Sequence, residues 1–226
     1  ERSLTLLREI GVTSFAGDLR DRYSMREGMS GADWVIHAAA ELDLHSSDER
    51  MAAANVEGSE NVASLAAKLG VGRFLSISSM AAWGGSPTDG SPAHEESPPQ
   101  LPLPTRYCAT KAAGELYCYT FHKLYGLSVN ALRFFTAYGP RQRPDMAIHK
   151  FARLILDGKE VPVFGDGSSQ RDYTYVDDAV GGILGALGRD DGFEVYNIGE
   201  SRTVGLSELV ALIEKSLGKT ARIKRL

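Results

Sequence analysis

Cysteine is scarce in this chain, and several familiar signals are missing altogether. Only Cys108 and Cys118 occur among 226 residues, with no CxxC spacing. That excludes a disulfide scaffold and suits a reduced, cytoplasmic compartment in which both are inert helix residues. Five histidines, at 37, 45, 94, 122 and 149, are scattered without the spacing of a metal site, so no metal is expected. No basic run stands out and the net charge is −4, which argues against a nucleic-acid partner. Apolar runs are far too short to span a bilayer, so no membrane partner is expected. The opening ERSLTLLREIG is amphipathic and charged, unlike a secretory signal.

One further absence bears on function. A dinucleotide-binding sheet opens with a strand, a Gly-rich turn and a helix N-terminus that holds the pyrophosphate. Neither G-x-G-x-x-G nor G-x-x-G-x-x-G follows an opening strand here, the one match to the second spacing lying far along the chain at 182–188, and the first apolar run, VTSFAG (12–17), leads straight into Asp18 and Leu19. Either the fold is a different one or the chain starts late.

What is present reads as an ordinary globular composition, 43% hydrophobic and 24% charged. The length allows one large domain, or one domain with a smaller lobe. VTSFAG, DWVIHAAA (33–40), RFLSISS (73–79), SVNALRFF (128–135) and EVYNIG (194–199) read as buried parallel strands. Helical patterns cover 49–69, stopped by Gly70, and 107–125, stopped by Gly126. Strand and helix alternating in this way predict an α/β fold with a doubly wound parallel sheet. The proline-rich SPAHEESPPQLPLP (91–104) is a loop that delivers the chain to Tyr107. After Pro140 a helix near 145–157, a turn-rich GDGSSQ and a helix from about 206 suggest a smaller lobe. The expected division is 1–136 and 137–226, with the strand at 194–199 returning to the first part.

Two Tyr-x-x-x-Lys pairs compete for attention, Tyr107/Lys111 and Tyr119/Lys123. A tyrosine phenol exchanges a proton with a substrate hydroxyl, and a lysine one turn on stabilises the phenolate. The two tyrosines lie twelve residues apart, about 120° around a helix, so they cannot share one site. Tyr107 follows a loop at the helix start, where a side chain can face a cleft at the carboxyl edge of a sheet. Tyr119 sits deeper, among Tyr117, Phe121 and Leu124. Tyr107/Lys111 is therefore the expected catalytic pair, and Tyr119/Lys123 a packed aromatic with a solvated lysine.

Taken in order, eight features resemble one family. They are GDLRD (17–21), DWVIHAAA, Asn55, SISSMAAWG (76–84), YCATK (107–111), LRFFTAYGPRQRPDMA (132–147), VFGDGSSQRDYTYVDD (163–178) and YNIGES (196–201). Together they resemble the extended short-chain dehydrogenase/reductases that act on nucleotide sugars. The resemblance implies a Rossmann-like sheet, NAD as cofactor and a UDP-sugar substrate. It implies cofactor contacts from Asp18, Leu19, Ala38, Ala39, Ala40, Asn55, Tyr107, Lys111 and Phe134. Ser79, Tyr107 and Lys111 would be catalytic, and Ser78, Ser79, Thr136, Arg143, Phe164 and Arg171 would meet the substrate. It also implies a homodimer through helices 49–69 and 107–125, with Ala112, Ala113 and Gly114 permitting close packing. A first strand, Gly-rich turn and helix are expected ahead of Glu1, and further substrate-lobe elements beyond Leu226.

Within that family, dehydratases follow the catalytic Thr with Asp-Glu, and decarboxylases keep a Glu there. Here Met80 and Ala81 follow Ser79, and neither transfers a proton. Redox at one carbon remains, and 4-epimerisation through a transient 4-keto sugar is the expected reaction. LRFFTAYGPRQRPDMA most resembles bacterial UDP-glucuronate 4-epimerases, in which the Arg matching Arg143 lies near the sugar carboxylate, a natural partner for an Arg fork. Arg141 and Arg143 could equally form a solvated turn or touch the phosphates. Arg171 matches a diphosphate clamp, or else pairs with Asp172 or Asp177, while Asp177 and Asp178 cap the next helix. Epimerisation of UDP-glucose or UDP-N-acetylglucosamine, keto-sugar reduction, and a non-catalytic nucleotide-sugar-binding fragment remain alternatives. The segment that would decide NAD against NADP is not in this sequence.

Overall fold

A computed structural model describes residues 2–85 and 92–226. Ser91, the first residue of the expected 91–104 loop, lies outside the described residues. Helices α1 (Arg2–Glu9) and α2 (Arg22–Met29) precede strand β1 (Trp34–His37). Helix α3 (Asp48–Ala52) passes through a π-helical turn, Ala53–Glu57, into α4 (Gly58–Leu69). Strand β2 (Arg73–Ser79) ends in a 3-10 turn, Met80–Trp83, and is followed by α5 (Arg106–Tyr125), β3 (Val129–Phe134) and β4 (Thr136–Tyr138). The remainder runs α6 (Ala147–Leu156), β5 (Glu160–Val163), β6 (Gln170–Tyr175), α7 (Val176–Leu187), β7 (Phe193–Ile198), β8 (Thr203–Gly205), α8 (Leu206–Leu217) and β9 (Arg222–Arg225).

Local chemistry explains the main boundaries. Thr105 caps α5 by accepting the Cys108 N–H at 3.2 Å, and Gly126 ends it in the left-handed region at φ 68°. Gly70 ends α4 in the same way at φ 70°. Beyond β4, Gly139 holds φ 142°, and a Cβ there would lie 2.7 Å from Val176 Cγ1, so only glycine fits this turn.

The chain divides into two compact units, the first Glu1–Arg133 with Ile183–Asn197, the second Phe134–Gly182 with Ile198–Leu226. The first contains a parallel sheet in the order β1-β2-β3-β7, with Trp34 opposite Arg73 and His37 opposite Ser76. Val62, Ala63 and Ala66 of α4, Cys118 of α5, Phe74 of β2 and Val129 of β3 form its core. In the second unit β4, β6 and β8 form one sheet and β5 pairs with β9. Phe151 and Ile155 of α6 pack there on Val161, Leu209, Val210 and Ile213.

Two strand expectations need correction. VTSFAG is not a strand: residues 12–17 join no ladder among the described residues, and Val12 and Phe15 are exposed. Alternation and β propensity do not make a strand without a partner for its backbone groups. DWVIHAAA shortens to Trp34–His37, because Ala38–Ala40 leave the ladder for a loop that Asn55 holds.

Candidate active site

Strand β2 and helix α5 bring the expected catalytic groups together. Successive residues of a strand face opposite sides, so Ser78 and Ser79 diverge. Ser79 ends the strand half-buried and caps the 3-10 turn, its Oγ accepting the Ala81 N–H at 3.2 Å. Helix α5 packs on that turn. Tyr107, in its first turn, is half-buried. One turn on, Lys111 donates from Nζ to the Ile77 carbonyl at 2.8 Å, and Nζ lies 5.9 Å from the centre of the Tyr107 ring. The ammonium is thus tied to the strand two residues ahead of Ser79. Burial pushes its pKa down to about 8, against a smaller upward pull from the Glu115 carboxylate and Cys118.

Ring-to-ammonium spacing does not separate the two Tyr-x-x-x-Lys pairs, since Lys123 Nζ lies 5.4 Å from the Tyr119 ring. Their surroundings do. Tyr119 is 45% exposed and rests edge-on against Phe193 at 5.1 Å. Lys123 is exposed, whereas Lys111 faces a small polar cavity shared with His37, Asn55, Ser59 and Thr110.

Ser78, expected to meet the substrate, is engaged within the fold. It is buried, and its hydroxyl donates to Glu115 Oε1 at 2.6 Å. Arg133 grips the same carboxylate through Nε and a terminal nitrogen at 2.9 and 2.7 Å. Glu115 stands four residues along the helix from Lys111. Sequence reasoning missed this ion pair, although a Glu at i+4 from the lysine was its available signal. Burial holds the Cys118 thiol up to about 12, which keeps it unreactive.

Asp18, Leu19, Ala39 and Ala40 line one cavity of about 430 Å³, together with Arg20, Glu41, Arg50 and Ala54, none of which had been singled out. Ala38 lines a neighbouring cavity with Leu19 and His37. Arg20 grips the Asp18 carboxylate at 2.5–3.1 Å and holds its pKa down at about 2. Arg50 donates to Glu41 at 2.5 Å. Small alanines that leave the backbone open, a carboxylate acceptor and two guanidinium forks suit a dinucleotide, with amine, hydroxyl and phosphate groups to satisfy. Asn55 is buried on its helix, and its amide bonds the backbone of Glu41 and the Thr110 hydroxyl. Phe134 ends β3, half-buried.

The second unit holds the other expected contacts. Thr136 opens β4 opposite Tyr173. Arg143 is exposed and donates to Asp145 at 3.0 Å. Phe164 is 70% exposed after β5. Arg171 is exposed on β6, and among the described residues it forms no ion pair; Asp172 instead accepts the Glu200 N–H at 3.0 Å. Asp177 and Asp178 lie in the first turn of α7. An apolar cavity of about 710 Å³, bounded by Tyr138, Tyr173, Tyr175, Arg202, Leu209 and Ile213, includes none of Thr136, Arg143, Phe164 or Arg171. Among the described residues no cluster of His, Cys, Asp or Glu could hold a metal, and no helix is long and apolar enough to cross a membrane.

A strand-end serine beside a Tyr-x-x-x-Lys helix on a parallel sheet is the arrangement of the short-chain dehydrogenase/reductase class. The profile of the NAD dependent epimerase/dehydratase family matches residues 3–199, and the chain belongs to that family. Over 192 residues it is 35% identical to UDP-glucuronate 4-epimerase of Thermodesulfobacterium geofontis (strain OPF15), covering 83% of this chain and 58% of that one. Over 209 residues it is 35% identical to dTDP-glucose 4,6-dehydratase of Streptomyces griseus, covering 89% and 61%. The chain therefore spans less than two thirds of these relatives. A solved UDP-glucuronic acid 4-epimerase variant from Bacillus cereus, in complex with UDP-4-deoxy-4-fluoro-glucuronic acid and NAD, superposes with a TM-score of 0.90 at 28% identity, over 100% of this chain and 72% of that one.

Proposed function

We propose that this chain is the core of an NAD-dependent UDP-sugar 4-epimerase, with UDP-glucuronate as the substrate. The observation that carries the reading is Lys111 of α5, beside Tyr107 and tied to Ile77 of strand β2, which ends at Ser79 and is followed by Met80 and Ala81. Tyr107 supplies a proton-transferring group, but Met80 and Ala81 offer no acid or base for eliminating water. This favours epimerisation over the chemistry named for the dehydratase relative.

Tyr107, as phenolate, takes the proton from the sugar 4-hydroxyl, and Lys111 lowers the cost of that phenolate. The Ser79 hydroxyl donates a hydrogen bond to the same oxygen as it becomes a ketone. NAD, when bound, supplies the acceptor and later the donor of the C4 hydride. Asp18, Leu19 and Ala38–Ala40 would hold it. Tyr107 returns its proton once the sugar has presented its other face, so no cofactor is consumed. Arg143 is proposed to read the sugar carboxylate, Arg171 the diphosphate, Phe164 the uracil, and Thr136 to line the sugar site.

A homodimer through α3–α4 and α5 is part of the same proposal. Leu116, Thr120 and Leu124, one turn apart, form an exposed stripe on α5. Gly114 is not in that stripe; it is buried, and a Cβ added there would lie 3.8 Å from Ser59 Oγ. Conversion of UDP-glucuronate to UDP-galacturonate by purified protein with NAD tests the reading; a protein that converts only neutral UDP-hexoses sinks the substrate assignment.

A further inference from the structure

We propose that His37, Ser59, Asn55 and Thr110 form a directed hydrogen-bond network that locks the rim of the cofactor cavity to the turn carrying Tyr107, with His37 as a positioning residue at its head. The functional role rests on the NAD reading above; the network itself rests on geometry alone.

Proton counting fixes the directions. Ser59 Oγ lies 2.6 Å from the Asn55 carbonyl oxygen, which can only accept, so the single hydroxyl proton of Ser59 goes there. His37 Nε2, 3.0 Å from Ser59 Oγ, must then be the donor. Neutral His37 is thereby fixed as the Nε2–H tautomer. Thr110 has the same constraint, since its hydroxyl donates to the Tyr107 carbonyl at 2.9 Å. It accepts in turn from Asn55 Nδ2 at 3.1 Å. The second Nδ2 proton goes to the Glu41 carbonyl at 3.0 Å, and Asn55 Oδ1 accepts the Glu41 N–H at 2.7 Å.

Every Asn55 proton is therefore spent on a loop backbone and a helix hydroxyl. The residue acts on a cofactor through Glu41, which lines the cavity with Asp18 and Arg50. The π-helical turn explains how a helix residue reaches so far: residues 53–57 carry the wider i→i+5 pairing, with Gly58 N–H donating to Ala53 O. Asn55 is buried within this turn. His37 faces Phe74 from β2, Ser59 from α4 and the Lys111 ammonium from α5. Burial, and then the Lys111 charge, hold its pKa down to about 4, so the ring stays neutral across the working range.

The test pairs a spectroscopic reading with a binding comparison. In ¹⁵N-labelled protein, His37 should show a protonated Nε2 and a bare Nδ1 from pH 8 to pH 5. Dissociation constants for NAD and for UDP are then measured on wild type, His37→Phe, Ser59→Ala and His37→Gln. Loss of one buried hydrogen bond should weaken NAD by about five- to tenfold in His37→Phe and Ser59→Ala. UDP affinity should hold in both, and His37→Gln, whose amide restores a donor, should recover most of the loss. A protonated Nδ1, or an imidazolium at neutral pH, overturns the network. The expected tautomer with equal NAD affinity in all four proteins overturns the positioning role. If wild type binds no NAD, the cofactor reading fails and the positioning role with it, while the tautomer still decides the network.

Discussion

Lys111 and Ile77 are joined across the contact between α5 and β2, Nζ donating to the carbonyl oxygen at 2.8 Å. The bond holds a buried ammonium beside the Tyr107 ring instead of letting it reach water. Its pKa of about 8 lies below the ordinary 10.5, so the folded protein gives up this proton earlier than the unfolded chain. Between pH 8 and 10.5 the unfolded state binds more protons, and this group's contribution to stability rises with pH across that window. A ¹³C titration of the Lys111 side chain should give a midpoint near 8. Glu115→Gln should lower it further, because that carboxylate raises it; a midpoint above 10 would contradict the burial argument.

Tyr107→Phe should cut turnover by about a thousandfold, the scale of losing a proton-transferring group. Tyr119→Phe should stay within a few-fold of wild type, since that ring only packs on Phe193. Steady-state rates with UDP-glucuronate check both, and the reverse ranking would reassign the site to Tyr119/Lys123.

Arg143 is exposed and bound only loosely to Asp145, which leaves its fork available for a carboxylate. Arg143→Ala should lower kcat/KM for UDP-glucuronate by about ten- to a hundredfold, the worth of a charged hydrogen bond, with a much smaller loss for UDP-glucose. Equal losses would mean that Arg143 reads the nucleotide or serves only the turn.

The Glu115–Arg133 pair is buried, with side chains 11% and 8% exposed. Glu115→Ala strands the guanidinium and should cost about 3–5 kcal/mol in denaturant unfolding. Ser78→Ala removes one donor to the same carboxylate and should cost about 1 kcal/mol. A near-neutral Glu115→Ala would show that water reaches Arg133 once the carboxylate is gone.

Much of this was legible in the sequence. RFLSISS is strand β2 to the residue, and the helices stopped by Gly70 and Gly126 end at those glycines, because left-handed caps are a local property. VTSFAG misled because a strand is defined by its partner, which local pattern does not supply. Asn55 was expected at the cofactor, but its hold on the Glu41 loop was not legible, since a 3.6-residue period does not anticipate a π turn. Ser78 resembled its neighbour Ser79, but the pleat turns it to Glu115, and Arg133 completes that site from a strand eighteen residues further on. His37 gave no signal as a lone histidine; only the proton count through Ser59 and Asn55 shows its part.

The most direct test of the central claim is to incubate the purified protein with UDP-glucuronate and NAD, and to follow sugar composition by ¹H NMR alongside absorbance at the NADH band. The account predicts UDP-galacturonate accumulating to an equilibrium mixture with no net NADH. Stoichiometric NADH, or no UDP-galacturonate from a protein that demonstrably binds both ligands, would contradict it.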